Sequence, residues 1–427
     1  MIVVPVRFHR VSNAAIAAES AFCEHLRVLR DKLAPPFSRL TVASPSMPRE
    51  YYESNREHLG HIDEELDGIR WVALQPGDAG RIAFWLRHFV FVLGRLAREV
   101  QRAHLVHAGT SHDVYRPIEV TALLLAGLFG RKTICVVDID QRQEAAMRHR
   151  TGQLGRKSLL LCRYVYDPLR NLQLRGAARW CSLVLLKGRR LCRDYGHDRP
   201  HVKYILESAY SAEHVIPPQQ LTAKLAALEE PSGPLELVYF GRLAAYKGVD
   251  RCIAALALAS SQCAAPMRLT VIGAGEELQR LQELCARLGV QHLVSFQGAL
   301  PFGPQLFTAL HPRHLLLAAP LSEDTPRSAL DALASGIPIL AFDTEYYSSL
   351  AESGAVDLVP WPSVDRLAER IAYYAGDKRR LIPLMRASVE FARANTQESW
   401  LDWRARWTRA LFDPVSEPAP LESASRA

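Results

Sequence analysis

Short apolar runs alternate with longer stretches of helical periodicity along most of the chain. In the first half, the runs that predict strands are IVVPV from Ile2, LTVA from Leu40, WVAL from Trp71, LVHA from Leu105, TICVVD from Thr133, LVLL from Leu183 and VKYIL from Val202. Apolar residues at three-to-four spacing predict helices over residues 13–30, 81–102 and 117–128. Strands separated by helices favour a parallel sheet with right-handed crossovers.

The same alternation restarts after residues 216–234, where proline-containing stretches flank a short polar helix and which we interpret as a linker. The runs ELVYFGRL, RLTVIGAG, LVSFQG, LLLAAP and IPILAF predict strands with helices between them. The pattern predicts an α/β protein with two Rossmann-like doubly wound domains, residues 1–215 and 235–398, that face a central cleft. Residues 399–412 predict a final helix packed between the domains, and residues 413–427 predict a disordered tail.

Composition is that of an ordinary globular protein with two domains, since the chain has 427 residues, 48% hydrophobic and 23% charged. No uncharged apolar run is long enough to span a bilayer, and the N-terminus MIVVPVRFHR becomes polar too early for a signal peptide. The eight cysteines show neither a CxxC pair nor a cysteine–histidine metal spacing. We therefore expect a cytoplasmic protein with buried thiols.

Positive charge is concentrated in one part of the chain. The net charge is +7, but residues 141–203 contain fifteen Lys and Arg against four acids, interleaved with Leu, Tyr and Trp180. Basic residues mixed with apolar ones are typical of an anionic membrane surface or a phosphate-bearing acceptor site. A solvated helix face is the common alternative. No nucleic-acid motif accompanies the segment, so nucleic acid is not an expected partner.

The stretch SEDTPRSALDALASGIP, residues 322–338, joins two predicted strands by a loop and a short helix that ends at Gly336. Such a loop lies at the carboxyl end of a parallel strand, where helix N-termini attract anions and ligands bind. Glu323 in the loop and Asp331 in the helix could both reach that ligand, and carboxylates suit vicinal hydroxyls. The alternative is a capped helix with solvated acids.

Two further strand-end loops carry candidate ligand contacts. In GRLAAYKG, Gly241 ends the strand, and Arg242 and Lys247 together favour binding of a diphosphate. In VIGAGEEL, Gly273 and Gly275 form only part of a dinucleotide-binding fingerprint and are equally compatible with a simple tight turn. No GxxxxGK[ST] loop is present, which disfavours ATP hydrolysis.

The first half offers histidines at a strand end, in HLVHAGTSHD. His107 or His112 could hydrogen-bond a sugar hydroxyl or transfer a proton, although a structural role is as common. Basic residues after the first strand could contact an acceptor in the same cleft: Arg7, His9 and Arg10.

Taken together, GRLxxxKG, GAGEEL, FQG and EDTPRSALDALASGIP resemble, in order and spacing, the C-terminal donor domain of the GT-B retaining glycosyltransferases of family 4, the glycosyl transferases group 1. The resemblance covers residues 235–409. It implies a GT-B fold and the transfer of a hexose from a nucleoside diphosphate sugar to a glycan or a lipid-linked saccharide, in exopolysaccharide or cell-envelope synthesis. No cofactor or metal is expected to be required, since Arg242 and Lys247 can neutralise the departing diphosphate. The basic, apolar-rich segment suits a membrane-bound anionic lipid carrier, and we therefore expect a cytoplasmic enzyme held peripherally at the inner face of the plasma membrane.

The resemblance assigns roles to individual residues. Arg242 and Lys247 match the basic pair that binds the donor diphosphate, and Glu323 matches the acid that contacts the transferred sugar. Asp331 matches the ribose-binding position, where the family usually has Glu. The remaining implied donor contacts are Gly241, Gly273, Gly275, Thr325, Pro326 and Arg327, and the implied catalytic residues are Glu323, His107 and His112. The family's Gly-Gly loop after the first strand is replaced by PVRFHRVSN, and Gly109 stands where its second strand-end histidine is expected.

Two alternatives share these residues. One is a glycosyltransferase whose acceptor is a soluble natural product. The other is a GT-B epimerase or a nucleotide-sugar-binding protein without transfer activity.

Overall fold

A computed structural model describes residues 1–35, 37–110, 115–137, 144–150, 152–196, 199–206, 208–229 and 233–413. These residues belong to two compact units. Unit 1 takes its described residues from Met1–Asp138, Leu160–Ile205 and Leu401–Ala424, and unit 2 takes them from Ile139–Leu159 and Leu206–Trp400.

The strands, in chain order, are β1 (Ile2–Val3), β2 (His9–Arg10), β3 (Ala15–Glu19), β4 (Leu40–Ser46), β5 (Leu59–Asp63), β6 (Ile69–Pro76), β7 (Leu105–Gly109), β8 (Lys132–Val137), β9 (Leu183–Leu186), β10 (Val202–Tyr204), β11 (Leu235–Phe240), β12 (Met267–Ile272), β13 (Val294–Phe296), β14 (Leu315–Ala318), β15 (Ile339–Phe342) and β16 (Val356–Val359). The predicted strand runs all fall on strands of the structure.

The helices are α1 (Ser20–Leu33), α2 (Arg49–Asn55), α3 (Arg81–Ala83), α4 (Phe89–Arg102), α5 (Ile118–Leu128), α6 (Glu144–Arg150), α7 (Arg156–Leu161), α8 (Asp167–Trp180), α9 (Arg189–Gly196), α10 (Pro218–Glu229), α11 (Val249–Gln262), α12 (Leu278–Leu288), α13 (Pro304–Leu310), α14 (Arg327–Ala334), α15 (Glu345–Ala351), α16 (Val364–Gly376), α17 (Ile382–Ala394) and α18 (Gln397–Ala410). Single π-helical turns, Phe84–His88 and Cys162–Tyr166, connect α3 to α4 and α7 to α8. Short 3-10 turns cover Arg56–His58, Ala212–His214, Ala245–Lys247 and Lys378–Leu381.

Unit 1 is built on a seven-stranded parallel sheet with the order β10-β9-β8-β7-β1-β4-β6. Successive strand residues point to opposite faces, so Val3 and Val106 join one buried cluster while Ile2 and Val42 join the other. The sheet is therefore covered on both faces, as the apolar strand sequences require.

A helix predicted over residues 13–30 is wrong at its beginning. Ala15–Glu19 forms β3, the middle strand of a small antiparallel sheet in which Ile16 pairs with Ile62 of β5. Ile16, Ala17 and Ala18 are buried there. Alanine has the highest intrinsic helix propensity, but such propensities are weak, so pairing and burial with distant strands determine the conformation.

Unit 2 contains a six-stranded parallel sheet with the order β13-β12-β11-β14-β15-β16. Alternate β11 residues, including Leu235, Leu237 and Tyr239, pack into a buried cluster with Leu256 and Ile371 of the covering helices. The chain first moves outward from β11 to β13 and then returns to β14 on the other side of β11. The predicted α/β architecture of two Rossmann-like domains is confirmed.

The segment interpreted as a linker, residues 216–234, contains the short helix expected there, but the structure assigns this helix to unit 2. Most of it is α10, which belongs to unit 2, and the boundary between the units falls after Ile205. Ile216 N–H donates to the Ala334 carbonyl at 2.8 Å, and Lys224 Nζ donates to the Ser335 carbonyl at 3.2 Å. The segment thus holds the C-terminal end of α14 through hydrogen bonds to its last carbonyl groups.

The last helix, α18, follows the predicted tryptophan periodicity, and Trp407 is buried. Its residues from Leu401 onward belong to unit 1, where Asp402 forms an ion pair with Lys32 at 2.7 Å. The predicted tail lies outside the described residues except for Asp413. Among the described residues, no helix has the length and hydropathy needed to cross a membrane.

Candidate ligand site at the carboxyl edge of the second sheet

The strand order of unit 2 reverses between β11 and β14, which are hydrogen-bonded neighbours. Loops that leave the carboxyl ends of two such strands diverge to opposite sides of the sheet and leave a crevice between them, where ligands bind in open α/β sheets. The loops that carry the candidate residues 241–248 and 319–326 begin at these two ends.

The loops after β11 and β12 are joined backbone to backbone. Leu243 N–H donates to the Ala274 carbonyl at 2.9 Å, and Glu277 N–H donates to the Leu243 carbonyl at 3.1 Å. A Cβ atom on Gly275 would lie 2.2 Å from the Leu243 carbonyl oxygen, so only glycine fits. Gly241 and Gly273 directly follow β11 and β12. Gly241 N–H donates to the carbonyl of Ile272, the last residue of β12, at 3.0 Å, which joins the two strand ends. These glycines allow the loops after β11 and β12 to pack closely at this edge of the sheet.

A second close approach joins the β11 loop to the end of β14. Gly248 has φ +67°, and a Cβ there would lie 1.8 Å from the Ala319 carbonyl oxygen. Leu321 N–H donates to the Tyr246 carbonyl at 2.7 Å. The short turn Ala245–Lys247 is therefore pressed against the residues that follow β14.

This packing brings Lys247 to Asp324, and their side chains form an ion pair in which both remain partly exposed, 16% and 19%. Asp324 also accepts a hydrogen bond from Thr325 N–H at 3.0 Å. Lys247 lies 5.2 Å from the Tyr246 ring centroid. Sequence reasoning missed Asp324, although an acid next to Glu323 and opposite a predicted basic pair was a readable signal.

Arg242 lies at the end of β11 with an exposed side chain. Its carbonyl accepts a hydrogen bond from the Tyr239 hydroxyl at 2.9 Å, which fixes the backbone at this point. The guanidinium makes no hydrogen bond or ion pair with the described residues. Of the two predicted phosphate-binding side chains, Lys247 is thus held in place and Arg242 faces solvent.

The loop before α14 is held by α15. Glu345 N–H donates to Glu323 Oε1 at 3.4 Å, and the Tyr346 hydroxyl donates to the Pro326 carbonyl at 3.1 Å. Thr325 and Pro326 lead into α14, which begins at Arg327. Because no described side chain caps this helix, its first backbone N–H groups can receive an anion.

Asp331 lies in the second turn of α14 and is only 5% exposed. Its Oδ1 atom is buried and has no hydrogen-bond partner among the described residues. Burial raises the pKa of this carboxyl to about 7, against the opposing charge of Arg327. A buried carboxylate without a partner is costly, so this position favours a ligand that donates hydrogen bonds.

His107 does not lie at a strand end, as the sequence predicted, but in the middle of β7, which continues to Gly109. Arg404 of α18 donates a hydrogen bond to His107 Nδ1 at 3.0 Å. Burial, with the charge of Arg404, lowers the pKa of His107 well below its usual range. The histidine therefore acts as a neutral acceptor for a buried arginine, which is a structural contact.

The surroundings of His107 support this interpretation. It lines a cavity of about 310 Å³ together with Met1, Leu40 and Leu105, which lie at the beginnings of parallel strands. That edge is opposite to the carboxyl edge, where ligands bind in sheets of this kind. His112 lies outside the described residues, so its proposed role stays a prediction.

The other basic residues predicted near an acceptor lie in unit 1. His9 stacks on Tyr52 with ring centroids 4.2 Å apart. Arg10 forms an ion pair with Glu64 and lies 5.4 Å from the Trp71 ring centroid. Arg7 lies close to Gly77, where a Cβ would approach its Nε to 2.7 Å. In the structure all three side chains therefore lie against other residues of unit 1.

Comparison with known families places this site in a recognised domain. Residues 222–393, which include every site residue from Gly241 to Asp331, match the family model described as glycosyl transferases group 1. Unit 2 therefore contains a glycosyl transferases group 1 domain. The predicted resemblance of this half of the chain is confirmed at that level.

Two curated proteins are similar to parts of the chain. D-inositol 3-phosphate glycosyltransferase of Nocardia farcinica (strain IFM 10152) is 29% identical over 269 residues, which cover 59% of this chain and 58% of that protein. The GtfA subunit of the UDP-N-acetylglucosamine–peptide N-acetylglucosaminyltransferase of Streptococcus gordonii is 27% identical over 150 residues, 34% of this chain and 29% of that protein. The chain thus spans less than two thirds of the length of either relative.

Solved structures extend the similarity beyond the group 1 domain. Anabaena Alr3699/HepE, solved in complex with UDP, has a TM-score of 0.63 at 16% identity and covers 96% of this chain and 99% of its own. WaaG, a glycosyltransferase involved in lipopolysaccharide biosynthesis, has a TM-score of 0.60 at 13% identity, and the match covers 95% of this chain and 98% of WaaG. At these identities the likeness concerns the fold, and it confirms the predicted GT-B fold class.

Proposed function

We propose that this protein is a retaining glycosyltransferase of family 4 that moves a hexose from a nucleoside diphosphate sugar to a glycan or a lipid-linked saccharide. Exopolysaccharide or cell-envelope glycan synthesis is the setting that we favour. The observation that carries the proposal is the ion pair between Lys247 and Asp324 beside Glu323, at the strand-order reversal of a group 1 domain.

The donor would lie across the carboxyl ends of β11 and β14. Its diphosphate would bind to Arg242, Lys247 and the uncapped N-terminus of α14, because all three offer positive charge or N–H donors. Glu323 would accept hydrogen bonds from hydroxyls of the transferred sugar. The ribose would donate to Asp331, whose buried Oδ1 otherwise has no partner among the described residues.

In the reaction, the bond between the sugar anomeric carbon and the diphosphate oxygen breaks as the acceptor hydroxyl oxygen forms a new bond on the same face. The hydroxyl proton passes to the departing diphosphate. Negative charge grows on the leaving group, so Arg242 and Lys247 stabilise the transition state more than the bound substrate. Asp324 keeps Lys247 in position, and no metal or cofactor is needed when two cations supply this neutralisation.

Proteins of similar structure support a nucleoside diphosphate sugar as the donor. HepE has been solved with UDP and with UDP-glucose, and WaaG acts in lipopolysaccharide biosynthesis. UDP-glucose is therefore the donor to test first. A lipid-linked acceptor is in keeping with the basic, apolar-rich segment of the chain.

A thermal-shift titration with UDP-, GDP- and ADP-sugars tests donor binding, because a ligand selective for the folded state raises the melting temperature with its concentration. Release of nucleoside diphosphate then tests chemistry. Arg242→Ala and Lys247→Ala should each lower the release rate by about 10² to 10³, as expected for loss of one stabilising group. Arg268→Ala, an exposed arginine of β12, is the matched control and should leave the rate unchanged.

Full activity in both variants would show that the donor site lies elsewhere. The sugar product distinguishes the alternatives: an epimerised sugar, free or still joined to the nucleotide, indicates an epimerase, and binding that leaves the nucleotide sugar unchanged indicates a binding protein. A glycoside formed on a lipid-linked or soluble acceptor supports transfer and identifies the acceptor class.

A further inference from the structure

Unit 1 exposes a row of large apolar side chains on the helical stretch that follows β6. Ile82, Leu86 and Val90 are 77%, 80% and 79% exposed, and they follow one another at a spacing of four residues. Phe91 is exposed beside them. Single exposed apolar residues are ordinary, but an aligned row on one face of a helix marks an interaction surface.

A second row lies on the stretch that includes α8. Leu161, Val165, Leu169 and Leu172 are exposed at spacings of three and four residues, and Tyr164 is exposed next to them. The π-helical turn Cys162–Tyr166 contains no buried residue. Apolar side chains that a helix presents away from the protein core do not stabilise the unit by packing.

The two helical stretches that carry these rows meet at Tyr115. The Arg81 guanidinium lies 4.2 Å from the Tyr115 ring centroid, and Trp85 Nε1 donates to the Tyr115 carbonyl at 2.9 Å. The rings of Tyr115 and Tyr166 are 5.7 Å apart, and their hydroxyl groups are hydrogen-bonded. The two stretches are therefore neighbours in unit 1, and we call their exposed residues Ile82, Leu86, Val90, Leu161, Val165 and Leu172 the apolar face.

Within the two helical stretches that carry the apolar face, the charge is almost entirely positive. Residues 81–102 and 160–180 contain nine arginines and two acids, Glu99 and Asp167. Glu99 is buried and paired with Arg70, and Asp167 lies 3.7 Å from Arg170. The charges left toward solvent are those of arginines such as Arg87 and Arg163.

We propose that the apolar face is a docking surface for an anionic phospholipid bilayer. The aliphatic rows would enter the boundary between headgroups and acyl chains, while the arginines would contact lipid phosphates. Trp85, Tyr115 and Tyr164 are side chains that membrane–water interfaces favour. This inference adds a lipid surface to the partners of the proposed glycosyltransferase. The biological purpose of the docking rests on the proposed function, but the docking itself does not require sugar transfer.

Charge selects the bilayer over a second copy of the chain. A two-fold dimer through this face would bring the same patch of each copy together, and arginines would face arginines. An anionic bilayer meets the same arginines with negative charge. Dimerisation is therefore an outcome that the test must detect.

The test is co-sedimentation of the full chain with vesicles of phosphatidylcholine alone and with vesicles containing about one third phosphatidylglycerol. We expect binding to the anionic vesicles only, weakened at about 0.5 M salt because screening shortens the reach of the arginines. Leu86→Glu and Val90→Glu should each weaken this binding by at least about tenfold. Leu66→Glu is the matched control, because Leu66 is 84% exposed away from the apolar face, between β5 and β6.

Three results would overturn the proposal: no binding of the unaltered chain to anionic vesicles, equal losses for Leu66→Glu and Leu86→Glu, or a dimer that Leu86→Glu dissociates. Circular dichroism and the UDP-glucose thermal shift of each variant show whether it is folded and still binds donor. Vesicle binding without a donor response would contradict the proposed function alone, and a donor response without vesicle binding would contradict the docking surface alone.

Discussion

The two units place apparently similar strand-end motifs in different environments. In unit 2, Lys247 and Asp324 come from loops at the carboxyl ends of β11 and β14 and remain partly exposed. In unit 1, His107 lies within β7, where it accepts a hydrogen bond from Arg404. A polar residue near the end of a predicted strand is thus a ligand contact only if the strand stops before it.

The largest effect that we expect concerns the packing of the β11 loop of unit 2 against the residues that follow β14. Gly248→Ala should destabilise unit 2 by more than about 4 kcal/mol, because the added Cβ meets the Ala319 carbonyl in a left-handed turn. Gly289→Ala is the control, with φ +70° and open space around it, and should cost about 1 kcal/mol. Urea denaturation of both variants measures the difference. Equal stabilities would show that the β11 loop is not pressed against β14.

The second test concerns the buried carboxyl of Asp331. Its pKa of about 7 in the folded protein exceeds that of an unfolded aspartate, so folding takes up a proton and stability falls as pH rises from about 4 to about 7. Asp331→Asn removes this penalty. At about pH 8 the variant should be more stable than the unaltered chain by up to about 4 kcal/mol, and at about pH 4 the gain should vanish.

Melting curves across this pH range measure the effect, with Asp365→Asn, an exposed acid of α16, as the control that should show no pH-dependent gain. Asp331→Asn should also weaken the UDP-glucose thermal shift if Asp331 binds ribose. A variant that is stabilised and still binds donor normally would confirm the burial and contradict the ribose contact.

The smallest expected effect separates structure from catalysis in unit 1. His107→Ala leaves the buried guanidinium of Arg404 without one acceptor and should cost about 1–3 kcal/mol, while His107→Gln, which keeps an acceptor, should cost less. The loss of stability caused by His107→Ala should shrink below about pH 6.5. There the unfolded histidine takes up a proton that the folded one does not, because the pKa of His107 is lowered in the folded protein, so the unaltered chain is itself less stable. Melting temperature and diphosphate release are both measured.

Release rates below the melting transition should stay within about threefold of the unaltered chain for both His107 variants. A hundredfold loss of rate with an unchanged melting temperature would instead restore the catalytic role that the sequence predicted for His107.

Much of the fold and of the donor side could be predicted because the relevant signals are local. Strands buried on both faces read as continuous apolar runs, and each predicted run falls on a strand. The four motifs of unit 2 consist of glycines and charged residues in loops a few residues from a strand end. Their positions follow from the strand boundaries, and the family model matches the same stretch.

The sequence by itself determined the two doubly wound sheets, the group 1 domain and the grouping of Arg242, Lys247 and Glu323 at one sheet edge. Only the tertiary structure decided that Asp324 holds Lys247, that Asp331 is buried without a partner among the described residues, and that α10 belongs to unit 2. It also decided that Ala15–Glu19 is a strand and that His107 binds Arg404. Each of these depends on residues that are tens to hundreds of positions apart in the chain but close in space, and periodicity records only which face of an element is apolar, not what covers it.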